Sequence, residues 1–162
     1  MLNLFAKDFN NFGPYDLNWA KYELCRGPRS HNSTSVFTNL TEIGDNLIAY
    51  FNITYLEETK IEDIKITVYS LKSNTKSVLW TYKVTDPCKH FSFGGVIKVV
   101  FKTPNCVVNK GSYYVYLNLK EISATFLGSS FFYGEYLLKT VITSKNGNIL
   151  CMIVIDRFSK KT

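Results

Sequence analysis

The chain has 162 residues, of which 46% are hydrophobic and 15% aromatic, and it carries a formal charge of +6. That length suits one domain with a substantial core and leaves little room for two, and no apolar run nears the roughly 20 residues that a helical membrane span needs. Basic residues are dispersed, clustering only as Arg26 with Arg29 and as Lys160-Lys161, so the concentrated basic face of a nucleic-acid binder is missing and no nucleic acid is expected as a partner. The dispersed charge reads as a solvated basic surface, with attraction to anionic lipid headgroups as its other use.

Residues 1–24 mix Lys7, Asp8, Asp16, Lys21 and Glu23 with apolar side chains and lack the continuous apolar core of a secretory leader. They are read as an N-terminal extension of a mature chain whose leader has been removed. Residues 25–158 are read as a single domain and 159–162 as a tail. Behind Cys25 come three sequons, at Asn32, Asn39 and Asn52, none with proline in the middle position; each is a candidate glycan acceptor. With four cysteines, Cys25, Cys88, Cys106 and Cys151, these sequons point to an oxidising secretory compartment. Four cysteines permit three pairings, and the sequence does not choose among them. The nested pairing is the working expectation. In the chain-entropy model its short bridge contributes roughly 3 kcal/mol and its end-to-end bridge about 5 kcal/mol.

Runs rich in Ile, Val, Tyr, Phe and Thr predict strands at 47–56, 61–71, 78–84, 112–119, 135–143 and 149–158. This is an all-β pattern of two antiparallel sheets, suited to a sandwich, cup or barrel. Lys72-Ser73-Asn74-Thr75 and Lys145-Asn146-Gly147-Asn148 read as hairpin turns, the second with the Asn-Gly pair favoured where positive φ is needed. A glycan on Asn52 must meet solvent, so Tyr50, Asn52 and Thr54 face out while Ala49, Phe51, Ile53 and Tyr55 face in. Ile64, Ile66 and Val68 share a face opposite Lys65 and Thr67, and Val78, Trp80, Tyr82 and Val84 share one opposite Thr81 and Lys83. From Ile149 to Ile155 the last strand is apolar on both faces, which leaves its orientation open.

Two apolar stretches, 91–101 and 126–133, do not look like ordinary connections. Loops run over the surface, so segments this aromatic either fold back on the core or meet something apolar. The Val and Phe content of 91–101 favours strand.

The C-terminal half carries a resemblance. Gly111-Ser112-Tyr113-Tyr114, the apolar stretch, Tyr133-Gly134-Glu135-Tyr136-Leu137-Leu138 and then Ser144-Lys145-Asn146-Gly147-Asn148-Ile149-Leu150-Cys151-Met152-Ile153 resemble the ML lipid-recognition superfamily, in its ganglioside-activator and insect chemosensory type B branches. The match is clearest from Cys88 to Ile155. The resemblance implies a β-cup, two antiparallel sheets splayed around an apolar cavity, with a short helix at the rim near 92–102. It also implies that Cys25 pairs with Cys151, the first cysteine with the last, and that Cys88–Cys106 remains as a rim bridge. Four cysteines, where the lysosomal branch has eight, favour the insect-type branch over a lysosomal role.

A cavity for an acyl chain needs apolar area with few unsatisfied polar groups, and each buried ligand methylene contributes about 0.8 kcal/mol before ordering costs. Phe51, Ile53, Ile64, Ile66, Val68, Trp80 and Tyr82 are candidate lining residues, joined by Phe93, Val96, Val100, Leu138, Met152 and Val154. Phe126, Leu127, Phe131, Phe132 and Tyr133 are candidates for the mouth or for transient membrane contact. Neither His31 nor His90 belongs to a catalytic triad signature, Glu57, Glu58, Glu62 and Asp63 read as a solvated hairpin end, and no metal-ligand spacing or cofactor motif is visible. The expectation is a secreted, non-enzymatic carrier of a fatty acyl lipid, glycolipid or lipid-like pheromone, with a receptor or enzyme as possible partner. The alternative is a secreted protein–protein interaction module with a filled core.

Overall fold

The computed structural model describes residues 11–162, apart from the side chain of Phe126. The strands are β1 (Phe12–Leu24), β2 (Thr34–Ile43), β3 (Asn46–Tyr55), β4 (Thr59–Lys60), β5 (Asp63–Lys72), β6 (Thr75–Thr85), β7 (Val107–Val108), β8 (Gly111–Asn118), β9 (Ser130–Phe132), β10 (Gly134–Thr143) and β11 (Asn148–Lys160). Two α-helices interrupt them, α1 (Phe93–Phe101) and α2 (Leu119–Leu127), with a short 3-10 turn at Pro87–Lys89. Six strands form one antiparallel sheet in the order β6-β5-β10-β11-β1-β9, three form a second in the order β2-β3-β8, and β4 pairs with β7. This is an all-β cup or sandwich of two antiparallel sheets with a short helix.

Both disulfides have the nested pairing, Cys25–Cys151 and Cys88–Cys106. The first ties the end of β1 to β11; the second encloses α1. Of the stretch read as an N-terminal extension, residues 1–10 lie outside the described residues. Residues 12–24 are β1, which pairs with β11 along nearly its whole length and buries Leu17.

The turn at Ser73 and Asn74 has both residues at positive φ, 49° and 65°, the geometry whose twist matches a two-residue hairpin. The second turn differs from its sequence reading: Gly147 does not take positive φ. Glycine is required there for space, since an added Cβ would strike Ser33 Oγ and crowd His31. A second correction concerns β6. Val68 pairs with Trp80 and Tyr69 with Val78, so Leu79 is a bulge. The extra residue flips the alternation, and Val78 lies on the outer face while Trp80, Tyr82 and Val84 keep the inner one.

Stretch 91–101 is helical despite its Val content. Phe93, Ile97 and Phe101 recur every four residues, which places them on one face of a helix, and that face packs on the core. Stretch 126–133 is not a loop either: it comprises the end of α2 and β9. Asn118 caps α2 by accepting from the backbone N–H of Glu121 at 3.3 Å, satisfying one of the helix's free donors.

Candidate functional site: the inner face of the larger sheet

The two sheets are fastened along one side. Tyr22 Oη and Thr38 Oγ1 share a hydrogen bond, Thr34 Oγ1 donates to the Ile149 carbonyl, and Ser33 N–H donates to the Asn148 carbonyl. Between the opposite edges, β6 and β8, no direct hydrogen bond joins the sheets among the described residues; the link there is the segment enclosed by Cys88–Cys106, to which Tyr82 Oη is hydrogen-bonded through His90 Nε2 at 2.8 Å. Six strands therefore face three, and the cover is narrower than the wall.

Cross-strand pairs identify the wall. Ile64, Ile66 and Val68 on β5 lie beside Val84, Tyr82 and Trp80 on β6 and beside Ile142, Thr140 and Leu138 on β10. Leu138 in turn pairs with Val154, and Thr140 with Met152. Directly paired residues share a face, so the orientation of β11 that the sequence left open is settled: Met152, Val154, Asp156 and Phe158 point inward.

These side chains fall into two groups. Phe51, Ile53, Ile64 and Met152 pack with Tyr55, Ile61, Ile97 and Val108 in a cluster shared by both sheets and α1. Its centre, Tyr55, is fully buried, and burial drives the phenol pKa upward, with Tyr113 adding to the shift. The second cluster, Leu17, Val68, Tyr136 and Phe158, lies on the larger sheet and takes Leu127, Phe131 and Leu138 against it; Ile66 touches both.

This division sorts the candidate cavity residues. Phe51, Ile53, Ile64 and Met152 are buried in the cluster shared by both sheets and α1. Val96 turns outward at 55% exposure, its inward place on α1 taken by Ile97, while Phe93 packs on the cluster and Val100 is half-buried. Trp80 and Tyr82 share the register of the inner-facing residues of β5 and remain 47% and 46% exposed, with the Tyr82 hydroxyl bonded to His90 Nε2 at 2.8 Å. Val154 and Leu138 are half-buried beside them. Two surface depressions, about 140 Å³ near Cys25–Cys151 and about 230 Å³ around Glu57 and Glu62, involve none of the candidate liners.

The candidate mouth is likewise sorted. The ring of Phe131 packs on Phe158 and Tyr136, with centroids 5.0 and 5.6 Å away. Tyr133 is engaged too, donating its hydroxyl to the Pro14 carbonyl at 2.8 Å. Leu127 packs on the second cluster, and Phe132 is exposed against Phe12. For Phe126, the side chain lies outside the described residues.

The alternation predicted for β3 holds, with Ala49, Phe51, Ile53 and Tyr55 buried. On the outer face of that sheet Phe37, Tyr50, Tyr114 and Tyr116 form an aromatic group. Two sequon asparagines share this face, Asn39 paired with Tyr50 and Asn52 with Phe37. Asn32 is exposed and its Oδ1 accepts from Asn148 Nδ2.

Two residues that the sequence reading passed over stand out on the inner wall. Asp156 is 6% exposed, and Trp19 occupies the directly paired position on β1. Neither Asp156 Oδ1 nor Trp19 Nε1 has a hydrogen-bond partner among the described residues. Burial pushes the Asp156 carboxyl up to about 7, because desolvation disfavours the charged form. The signal was period two along Met152, Val154, Asp156 and Phe158, hidden by apolar residues on both faces.

Two antiparallel sheets, a bridge from first strand to last, and an apolar inner face define the class by architecture: an all-β cup or sandwich. Two solved structures are similar in chain path. Chicken MD-1, solved in complex with lipid IVa, is 12% identical, with 88% of this chain and 97% of that chain covered and a TM-score of 0.43. A Niemann-Pick type C2 protein from the Japanese carpenter ant is 8% identical, with coverage of 88% and 92% and a TM-score of 0.34. The sequence matches no protein-family model and no curated protein.

Proposed function

We infer that the protein is a secreted, non-enzymatic carrier that admits an apolar molecule, a fatty acyl lipid or a lipid-like signal, through the unfastened edge between β6 and β8. The observation that carries this reading is the pair Trp80 and Tyr82, two large rings on the inner wall that the second sheet leaves nearly half exposed. Exposed aromatic area costs free energy in water, about 25 cal/mol per Å², and an acyl chain laid along Trp80 and Tyr82 removes that cost. Around Trp80 and Leu138 the wall offers apolar contact, which suits an apolar ligand. Two disulfides and three sequons support an oxidising compartment, extracellular or lysosomal, and the four-cysteine pattern favours the extracellular one.

A second reading, an interaction module, draws on the outer aromatic group of Phe37, Tyr114 and Tyr116, three exposed rings on one face of the kind enriched at interfaces. Native mass spectrometry of protein from a eukaryotic secretory host, with organic extraction, separates the two. The carrier reading expects a stoichiometric apolar adduct. A clean apoprotein that takes up no fluorescent fatty acid would leave only the interaction reading.

A further inference from the structure

We propose that the outer face of the smaller sheet is a platform for the protein's own N-glycans: sugars carried on Asn39 and Asn52 lie over the rings of Phe37, Tyr50, Tyr114 and Tyr116. The proposal rests on the secretory compartment in the carrier reading and not on its ligand.

Directly paired residues share a face, so the strand register lays this face out as a grid. Phe37, Asn52 and Tyr114 form one row across β2, β3 and β8, and Asn39, Tyr50 and Tyr116 form the next. The flanking rows are Ser35-Thr54-Ser112 and Thr41-Ile48-Asn118. None of these positions holds a charged side chain, although charged residues make up 20% of the chain and belong mostly on surfaces. Phe37, Tyr114 and Tyr116 are more than half exposed. Tyr50 joins them into one patch, its ring centroid 6.2, 6.4 and 5.0 Å from those of Phe37, Tyr114 and Tyr116. A contiguous exposed aromatic patch marks a surface that something covers.

The asparagines in the patch decide what that cover is. Phe37-Thr38-Asn39-Leu40-Thr41 and Tyr50-Phe51-Asn52-Ile53-Thr54 share one pattern, a ring two residues before the asparagine and a threonine two after. On a strand, period two sets ring, asparagine and threonine on the same face. Register adds further rings, since Asn52 stands between Phe37 and Tyr114, and Asn39 beside Tyr50. Asn39 is exposed, and half-buried Asn52 has no protein partner for its Oδ1. Paired positions lie about 5 Å apart, so a sugar joined to either amide starts next to these rings. The C–H face of a pyranose is apolar and can lie on a ring while its hydroxyls stay in water, which covers aromatic area without stranding a polar group. The third sequon lacks the pattern: Ser30 stands two residues before Asn32, whose Oδ1 accepts from Asn148 Nδ2 at 2.9 Å. A protein partner would have to pack on a face that bears two acceptor sites for a bulky glycan.

The test uses the full chain from a eukaryotic secretory host. Glycopeptide mass spectrometry is expected to find sugar on both Asn39 and Asn52. After endoglycosidase trimming to one N-acetylglucosamine per site, the acetyl methyl protons should resonate upfield of those in a glycosylated peptide of residues 35–43, because an aromatic ring beneath a sugar shields it. The same chain made without glycans in an oxidising bacterial host should melt at least about 3 °C lower. Phe37→Ser, at an exposed position, should remove most of that difference, the cycle isolating the coupling of sugar to ring. An empty Asn39 or Asn52 beside an occupied Asn32 would overturn the platform, as would methyl protons at the peptide's positions or a melting difference that Phe37→Ser leaves intact; the face then belongs to a protein partner. Three empty sequons would overturn the secretory reading with it. Loss of fatty-acid uptake in every preparation would overturn the carrier reading and leave the platform standing.

Discussion

The two ends of the space between the sheets are built differently. At one end Phe51, Tyr55, Ile97 and Met152 close a core that draws on both sheets and α1, within a frame held by both disulfides. At the other, the inner wall is apolar but incompletely covered, with Trp80 and Tyr82 nearly half exposed and with Trp19 Nε1 and Asp156 Oδ1 lacking hydrogen-bond partners among the described residues. A domain of this size gains most of its stability from burial. The filled end therefore supplies the rigidity that lets the open end tolerate exposed rings and unmet polar atoms, features that destabilise a fold unless something binds there.

The largest expected effect of breaking this arrangement falls on the filled end. Replacing both Cys25 and Cys151 by serine removes a bridge that spans 126 positions, at a cost of about 5 kcal/mol in the chain-entropy model. Loss of cooperative thermal unfolding is the expected readout. A variant that melts within a few degrees of the parent would show that β1 and β11 hold without their staple.

A smaller effect belongs to the open end and depends on pH. Asp156 has a folded pKa of about 7 against 3.8 for an unperturbed aspartate, so between those values the folded state holds a proton that the unfolded state has released. The stabilisation linked to that proton is complete below the unfolded value and is lost as pH rises through the folded one, at about 1.4 kcal/mol per pH unit. Denaturant titrations should show stability falling from pH 5 to pH 8, and Asp156→Asn should flatten the decline and exceed the parent at pH 8. An Asn variant with the same pH slope would remove Asp156 from the account.

Much of the architecture was legible in the residues. Six strands showed in their alternation, and the buried face of β3 followed from requiring solvent access for Asn52. What escaped was set by tertiary context. In β1, Pro14, Asp16, Asn18, Lys21 and Glu23 dilute the apolar pattern, and the strand forms because β11 offers an edge to pair with. The bulge at Leu79 depends on register, which no local rule supplies. Helix α2 did leave a signal, Asn118 followed three residues later by Glu121, overshadowed by the aromatic residues after it. The site was only half readable: composition marked Trp80 and Tyr82 as wall residues, whereas deciding that Phe51 and Met152 belong to a filled core required knowing how far the second sheet reaches.

The most direct test of the central claim, that the open edge rather than the filled core receives the ligand, is uptake of a fluorescent fatty acid by Trp80→Glu. The account predicts a folded protein melting close to the parent, because Trp80 is half exposed on an edge strand, with uptake reduced at least about tenfold by a charge set in the apolar wall. Unchanged uptake by the folded variant would contradict it.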